Sequence, residues 1–226
     1  MTAIETLIAE LQTLAEPGGA ESMARYGIVT ADKVIGVSVG DIRAVAKRAG
    51  RDHALAQQLW DSGWYEGRML ACFLADPKQV TPELMDRWAA GFDNWATCDT
   101  ACFDLFDRTP HALAKVREWA LREEEFVRRA AFALLASVAL HAKKLPDEAL
   151  LECLPLIEAA NDPRNFVKKG VSWALRAIGG RRAGLHAECV ALAERLAASP
   201  EPARRWTGKD ALRDLTRPLV LKRLGL

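Results

Sequence analysis

An internal repeat limits what this chain can fold into more than any other feature. FVRRAAFALL begins at Phe126, FVKKGVSWAL at Phe166 and WTGKDALRDL at Trp206, two successive steps of 40 residues. In the first two segments five of ten positions agree in kind, among them the opening Phe-Val and a basic doublet. Weaker copies lie upstream, WATCDTACFDL from Trp95 and YEGRMLACFL from Tyr65, at spacings of 31 and 30 residues. Periods of roughly 30 to 47 residues with two or three helices each mark HEAT- and armadillo-like solenoids, in which a unit buries its apolar face by stacking on the next. No stretch alternates apolar and polar residues for long, whereas helical spacing recurs, as at Ala112, Val116, Trp119 and Ala120. Breaks fall at Pro17-Gly18-Gly19, Asp76-Pro77, Pro110, Pro146, Asp162-Pro163, Gly179-Gly180, Pro200 and Pro202. The expectation is an all-α, right-handed helical-repeat solenoid, a single domain over residues 1–226, with a concave basic groove.

Numbering each repeated helix from its aromatic as position 0 places Arg68, Cys98, Arg129, Lys169 and Lys209 at +3, four of them basic. Stacked equivalent helices put equivalent positions in a row, and positions 0, +3, +4 and +7 span roughly 100° of a helix. That arc collects Trp95 and Asp99 in one repeat, Arg129 in the next and Trp173 in the one after. Cations interleaved with aromatics suit a nucleic-acid backbone, with charge for phosphate and flat surface for sugar or base. A merely solvated Lys/Arg face is the plain alternative. The charge is uneven: from Arg164 on there are 14 Lys+Arg against 5 Asp+Glu, and before it 17 against 25, on a chain of net charge +1. A basic C-terminal third points to a polyanion or to a solubilising face.

Half the residues are hydrophobic and 27% charged, a composition that excludes disorder and provides for a core. No apolar run has spanning length, and MTAIETLIAELQTLAEPGGA carries acids early, so it reads as an amphipathic helix and not a signal peptide. The five cysteines include no CxxC pair and fit reduced cytoplasmic thiols packed in helices. His53, His111, His141 and His186 are isolated, Cys98 and Cys102 lack a second pair, and no GxGxxG or P-loop is present. No metal, cofactor or membrane is expected, and the chain reads as a monomer.

At the repeated segments the sequence resembles the AlkD-like DNA alkylation-repair glycosylases. The similarity runs through Met23-Ala24-Arg25-Tyr26, GVSVGDIRAVAK at Gly36 to Lys47, NWATCD at Asn94 to Asp99, FVRRAAF at Phe126 to Phe132 and FVKKGVSWALR at Phe166 to Arg176. It covers about Glu21 to Arg182 in order; after Gly184 only the repeat character persists. The family uses a Trp and an Asp four residues apart on one helix, an Arg on a following helix and a second Trp beyond. The resemblance places these on Trp95, Asp99, Arg129 and Trp173. It implies excision of cationic N3- or N7-alkylated purines, such as 3-methyladenine and 7-methylguanine, from double-stranded DNA without a closed base-flipping pocket. Two departures stand out: Asn94 occupies the place of a second Trp before Trp95, and the +3 residue is Cys98.

The residue types fit that chemistry. Alkylation at N3 or N7 makes the purine a cationic leaving group, so little acid catalysis is required. Charge then develops on the deoxyribose, where the Asp99 carboxylate can stabilise it and orient the attacking water. Trp95 and Trp173 offer π-faces to the sugar and its cationic surroundings. Arg129 suits a phosphate by paired hydrogen bonds, and Lys168, Lys169, Arg176, Lys209 and Arg68 suit further phosphates. Tyr26 reaches the strand from the N-terminal side. The expected activity is that of a monofunctional alkylpurine DNA glycosylase, cytoplasmic and nucleoid-associated when bound. Two rivals are a non-catalytic binder of unusual or damaged DNA and a helical-repeat scaffold for a protein or acidic peptide.

Overall fold

The computed structural model describes residues 2–226. Its regular elements are helical throughout; among the described residues there is no strand, only an isolated bridge between Lys33 and Trp64. The chain divides into two compact units, one ending at Thr109 and the other running from Pro110 to Leu226. No described helix is long and apolar enough to cross a membrane.

The first unit holds α1 (Ala3–Gln12), α2 (Gly19–Arg25), α3 (Val39–Ala49), α4 (His53–Trp60), α5 (Tyr65–Leu74), α6 (Pro82–Ala90), α7 (Trp95–Asp104) and a closing 3-10 turn, Phe106–Arg108. Five of these helices start on a side-chain cap. Thr2, Ser38, Asp52, Thr81 and Asn94 accept the backbone N–H of Glu5, Asp41, Leu55, Leu84 and Thr97 respectively. Each cap satisfies one otherwise orphaned donor and contributes about 1 kcal/mol. Asn94 is therefore explained locally. Buried at 1% exposure, it starts α7 with a 3.0 Å bond from Thr97 N, a bond that a Trp in its place could not accept. The core is aromatic, with Trp60 and Trp88 stacked at 4.2 Å and Phe92 and Phe106 against them.

The loop before α3 is built from inside. Glu66, fully buried on α5, accepts the backbone N–H groups of Ile35, Gly36 and Val37 at 3.0, 2.7 and 3.4 Å. Gly36 has φ +90°, and a Cβ on Gly19 would stand 2.4 Å from its carbonyl oxygen, so two glycines let the start of α2 press on this loop.

The second unit holds α8 (Ala112–Trp119), α9 (Glu125–His141), α10 (Asp147–Leu151), α11 (Leu154–Ala159), α12 (Asn165–Gly179), α13 (Ala183–Ala197), α14 (Pro202–Leu215) and α15 (Pro218–Leu224). The repeat is visible here as packing. α12 lies between α9 and α14, α8 packs on α9, and α13 packs on both α12 and α14. Small residues permit the close approach: Ala130 and Ala133 of α9 are fully buried, and a Cβ on Gly170 of α12 would already touch Phe132 at 3.5 Å. Gly208 is more constrained, since a Cβ would meet Ala197 N at 2.2 Å and Ala193 O at 2.5 Å, backbone atoms of α13. Arg181 closes the end of α9 by donating to the carbonyls of Ala139, Ala142 and Leu145 at 2.7, 2.8 and 3.1 Å.

Candidate nucleic-acid interface

In the first unit the site forms at the start of α7. Trp95 is its first residue and Asp99 follows one turn later, both half-buried. The indole Nε1 of Trp95 donates to the Tyr26 carbonyl at 3.1 Å, which fixes the ring, while Tyr26 itself is 74% exposed just past α2. The intervening loop is tied to the same place: Asp93 accepts from Thr30 Oγ1 and Ala31 N, both at 2.8 Å, and from Asn94 Nδ2 at 2.8 Å. The expected Tyr26, Trp95 and Asp99 are thus gathered by α7 and the segment ahead of α3.

Arg68 departs from the expected stripe. It is bound to Asp32 at 2.6 Å, donates to the Gly91 carbonyl and lies 5.3 Å from the Trp60 ring centroid. Burial raises the Asp32 carboxyl above its ordinary range, against the lowering effect of Arg68. This arginine braces the unit from within, and its weakly exposed guanidinium offers little to a phosphate. Cys98, at the same register, is fully buried.

In the second unit the expected arrangement is better developed. Phe126 and Phe166, one repeat apart, have ring centroids 5.4 Å from each other, and Lys168 Nζ stands 5.1 Å from the Trp206 centroid. A depression of about 650 Å³ opens on this face, lined by Arg129, Lys169, Trp173, Arg176, Trp206, Asp210 and Arg213. All of them except Arg176 sit at positions 0, +3, +4 or +7 of their repeats. Arg129 is only 7% exposed, and its Nη1 donates to the Phe166 carbonyl at 2.7 Å, so its guanidinium is held by the neighbouring repeat. Lys169 and Lys209 are exposed and have no ion-pair partner among the described residues.

Trp206, Asp210 and Arg213 were not expected here. Asp210 accepts from Ser172 Oγ at 2.6 Å, pairs with Arg213 and lies 3.8 Å from Arg176. The 40-residue repeat held the signal for Trp206 and Arg213, because it aligns Trp206 with Phe166 and Arg213 with Trp173. Charge follows the division of the chain. Residues up to Thr109 carry 10 Lys+Arg against 16 Asp+Glu, and those from Pro110 carry 21 against 14. Among the described residues no group of three or more His, Cys, Asp or Glu is placed to hold a metal ion, and the five buried cysteines form no disulfide.

Stacked repeat helices presenting cations and indoles on one face define a HEAT-like repeat protein. The fold matches, with a TM-score of 0.80, a solved structure described as belonging to a new family of proteins related to the HEAT-like repeat DNA glycosylases with affinity for branched DNA structures. That match covers 100% of this chain and 97% of the other at 18% sequence identity. Residues 7–215 match the family model described as DNA alkylation repair enzyme, and the chain belongs to that family. It is also 23% identical over 156 residues to the uncharacterized protein Lin0241 of Listeria innocua serovar 6a, covering 67% of this chain and 68% of that one.

Proposed function

We propose that the protein is a monofunctional DNA glycosylase that hydrolyses the N-glycosidic bond of cationic N3- or N7-alkylated purines in duplex DNA, with water as nucleophile. The observation that carries this reading is the start of α7, where Trp95 is pinned by its indole N–H and Asp99 lies one turn along the same helix. In the proposed reaction the lesion departs as a neutral purine, taking the bond's electron pair onto its already cationic ring. The Asp99 carboxylate stabilises the positive deoxyribose that remains and accepts a proton from the water that attacks it. Trp95 lines the reacting sugar; on the second unit Trp173 offers its ring to the strand, Arg129 shapes that face through its bond to the Phe166 carbonyl, and Lys168, Lys169, Lys209 and Arg176 neutralise phosphates. The reading requires both units to engage one duplex. Arg68 has no part in it.

The reading is tested by incubating the protein with alkylated duplex DNA and following free 3-methyladenine and 7-methylguanine. Uracil and hypoxanthine duplexes should release nothing, because no general acid is proposed for a neutral leaving group. Comparable rates on uracil and 7-methylguanine would refute it. One observation favours a second reading, a non-catalytic binder: the solved structure sharing the fold belongs to a family with affinity for branched DNA structures. Tight binding to a four-way junction with no base released from alkylated duplex would establish that reading instead.

A further inference from the structure

A cavity of about 330 Å³ lies wholly within the first unit, between α2 and the loop leading to α3. Its wall includes Met23, Val37, Tyr65 and Trp95, with Tyr26 at the mouth and the exposed Glu16 at the rim. The volume is at the lower end of small-ligand sites and suits one planar ring system. The walls are preformed. Glu66 holds the backbone of residues 35–37, the Gly19–Gly36 approach closes one side, and the Trp95 ring is fixed by its bond to the Tyr26 carbonyl. Rigid walls lose little entropy when a ligand enters.

A second observation points to an occupant. Tyr65 is 3% exposed, yet its hydroxyl has no hydrogen-bond partner among the described residues. The hydroxyl is not sealed off: it keeps solvent access at the cavity wall, where an entering ligand can take its hydrogen bond. Burial raises the Tyr65 phenol well above its ordinary range, and the nearby Glu66 carboxylate adds to this, so the group remains a donor at any physiological pH. The cavity therefore offers aromatic faces, one phenol donor on its wall and one carboxylate acceptor at the rim. Unpaired nucleobases are recognised by that combination, a flat π-surface with acceptors and exocyclic amines along its edge.

We propose that this cavity binds a single unpaired nucleobase, held against the Trp95 and Tyr26 rings with the Tyr65 hydroxyl donating to its edge. The inference rests on the DNA-binding reading above and adds a preference for DNA containing a base out of the stack. It assigns Asp99 no contact with that base.

The test compares two labelled duplexes of one sequence, fully paired or with one bulged adenine, in fluorescence anisotropy titrations against the wild-type protein, Tyr65→Phe and Ser22→Leu. Ser22 lines the cavity and its side chain makes no hydrogen bond among the described residues, so leucine there fills the space. The wild type should prefer the bulged duplex. Tyr65→Phe should cut the bulged-to-paired ratio roughly three- to tenfold, the value of one hydrogen bond, and Ser22→Leu should abolish the preference. Tyr65→Phe should also leave Tm unchanged, since the hydroxyl bonds to no group of the protein among the described residues. Equal wild-type affinity for both duplexes would overturn this inference and leave the DNA-binding reading standing, and binding to neither would overturn both. A Tyr65→Phe variant with lower Tm and an unchanged ratio would make the hydroxyl structural and likewise overturn it.

Discussion

Replacing Asp210 with asparagine should make the protein bind DNA more tightly. The depression on the second unit is lined by four cations, Arg129, Lys169, Arg176 and Arg213, and one anion, Asp210. That anion is close to two of the cations, paired with Arg213 and 3.8 Å from Arg176. If the face tracks a phosphate backbone, Asp210 both repels phosphate and occupies guanidinium groups that would otherwise meet it. Each phosphate neutralised changes the slope of log K against log salt by about −0.9. Asp210→Asn, freeing about one cation, should steepen the slope by about 0.9 and raise affinity at 0.1 M salt about eightfold. Lys169→Ala, which removes a cation with no acidic partner, should do the reverse by the same amount. Between 50 and 200 mM salt the advantage of Asp210→Asn should shrink about 3.5-fold, since releasing a counterion gains less free energy as bulk salt rises. The amide keeps the shape and can still accept from Ser172 Oγ, so the fold should hold. The assay is anisotropy on one undamaged duplex across a salt series. Unchanged affinity in Asp210→Asn together with an unchanged slope in Lys169→Ala would refute a phosphate track on this face.

Three further outcomes follow from particular contacts. Asp99→Asn should remove most excision of 7-methylguanine while duplex affinity stays within about twofold, measured by single-turnover release beside anisotropy; near-normal rates would remove Asp99 from the mechanism. Asp162, 5% exposed, is held down to about 2 by the Arg164 guanidinium, with help from the Arg164 backbone N–H and Arg128, against the cost of burial. Its folded pKa lies below its unfolded one, so its stabilisation is complete above about pH 4 and is lost as pH falls toward 2. Asp162→Asn should therefore cost about 2 kcal/mol in urea denaturation at pH 7 and much less at pH 2, and a pH-independent loss would contradict this. Gly208→Ala should cost about 1–3 kcal/mol of stability or more, seen as a lower Tm, because the added Cβ meets the α13 backbone at 2.2 Å; a variant as stable as wild type would show that α13 and α14 can move apart.

Much of the fold and part of the site were legible in the chain itself. The 40-residue period spells out α9, α12 and α14, because an opening aromatic, a cation at +3 and small residues recur where helices stack in register. The same register places Arg129, Lys169 and Trp173 on one face, since side chains at 0, +3 and +7 share a stripe of any helix. It also held Trp206, which a list of separate tryptophans passes over as packing. Asn94, which looks like a defect when compared with related proteins, is explained by local chemistry as the cap of α7.

What the linear pattern left open is everything that depends on which partner reaches a side chain first. Arg68 and Lys169 occupy the same register and both read as phosphate ligands. Asp32, 36 positions away in sequence, captures the one, and no acid approaches the other. Asp210 tempers the basic face because it lies beside Arg176, a pairing that no spacing rule anticipates. The cavity beneath Tyr26 exists because Glu66 holds a loop 30 residues upstream and two distant glycines touch. Periodicity belongs to the helix and can be read one turn at a time, so the sequence alone determined the repeats and the composition of their faces. Charge pairing, burial and empty volume belong to contacts between segments far apart in the chain, so only the tertiary structure decided which cations remain available to DNA and where a cavity lies beside Trp95.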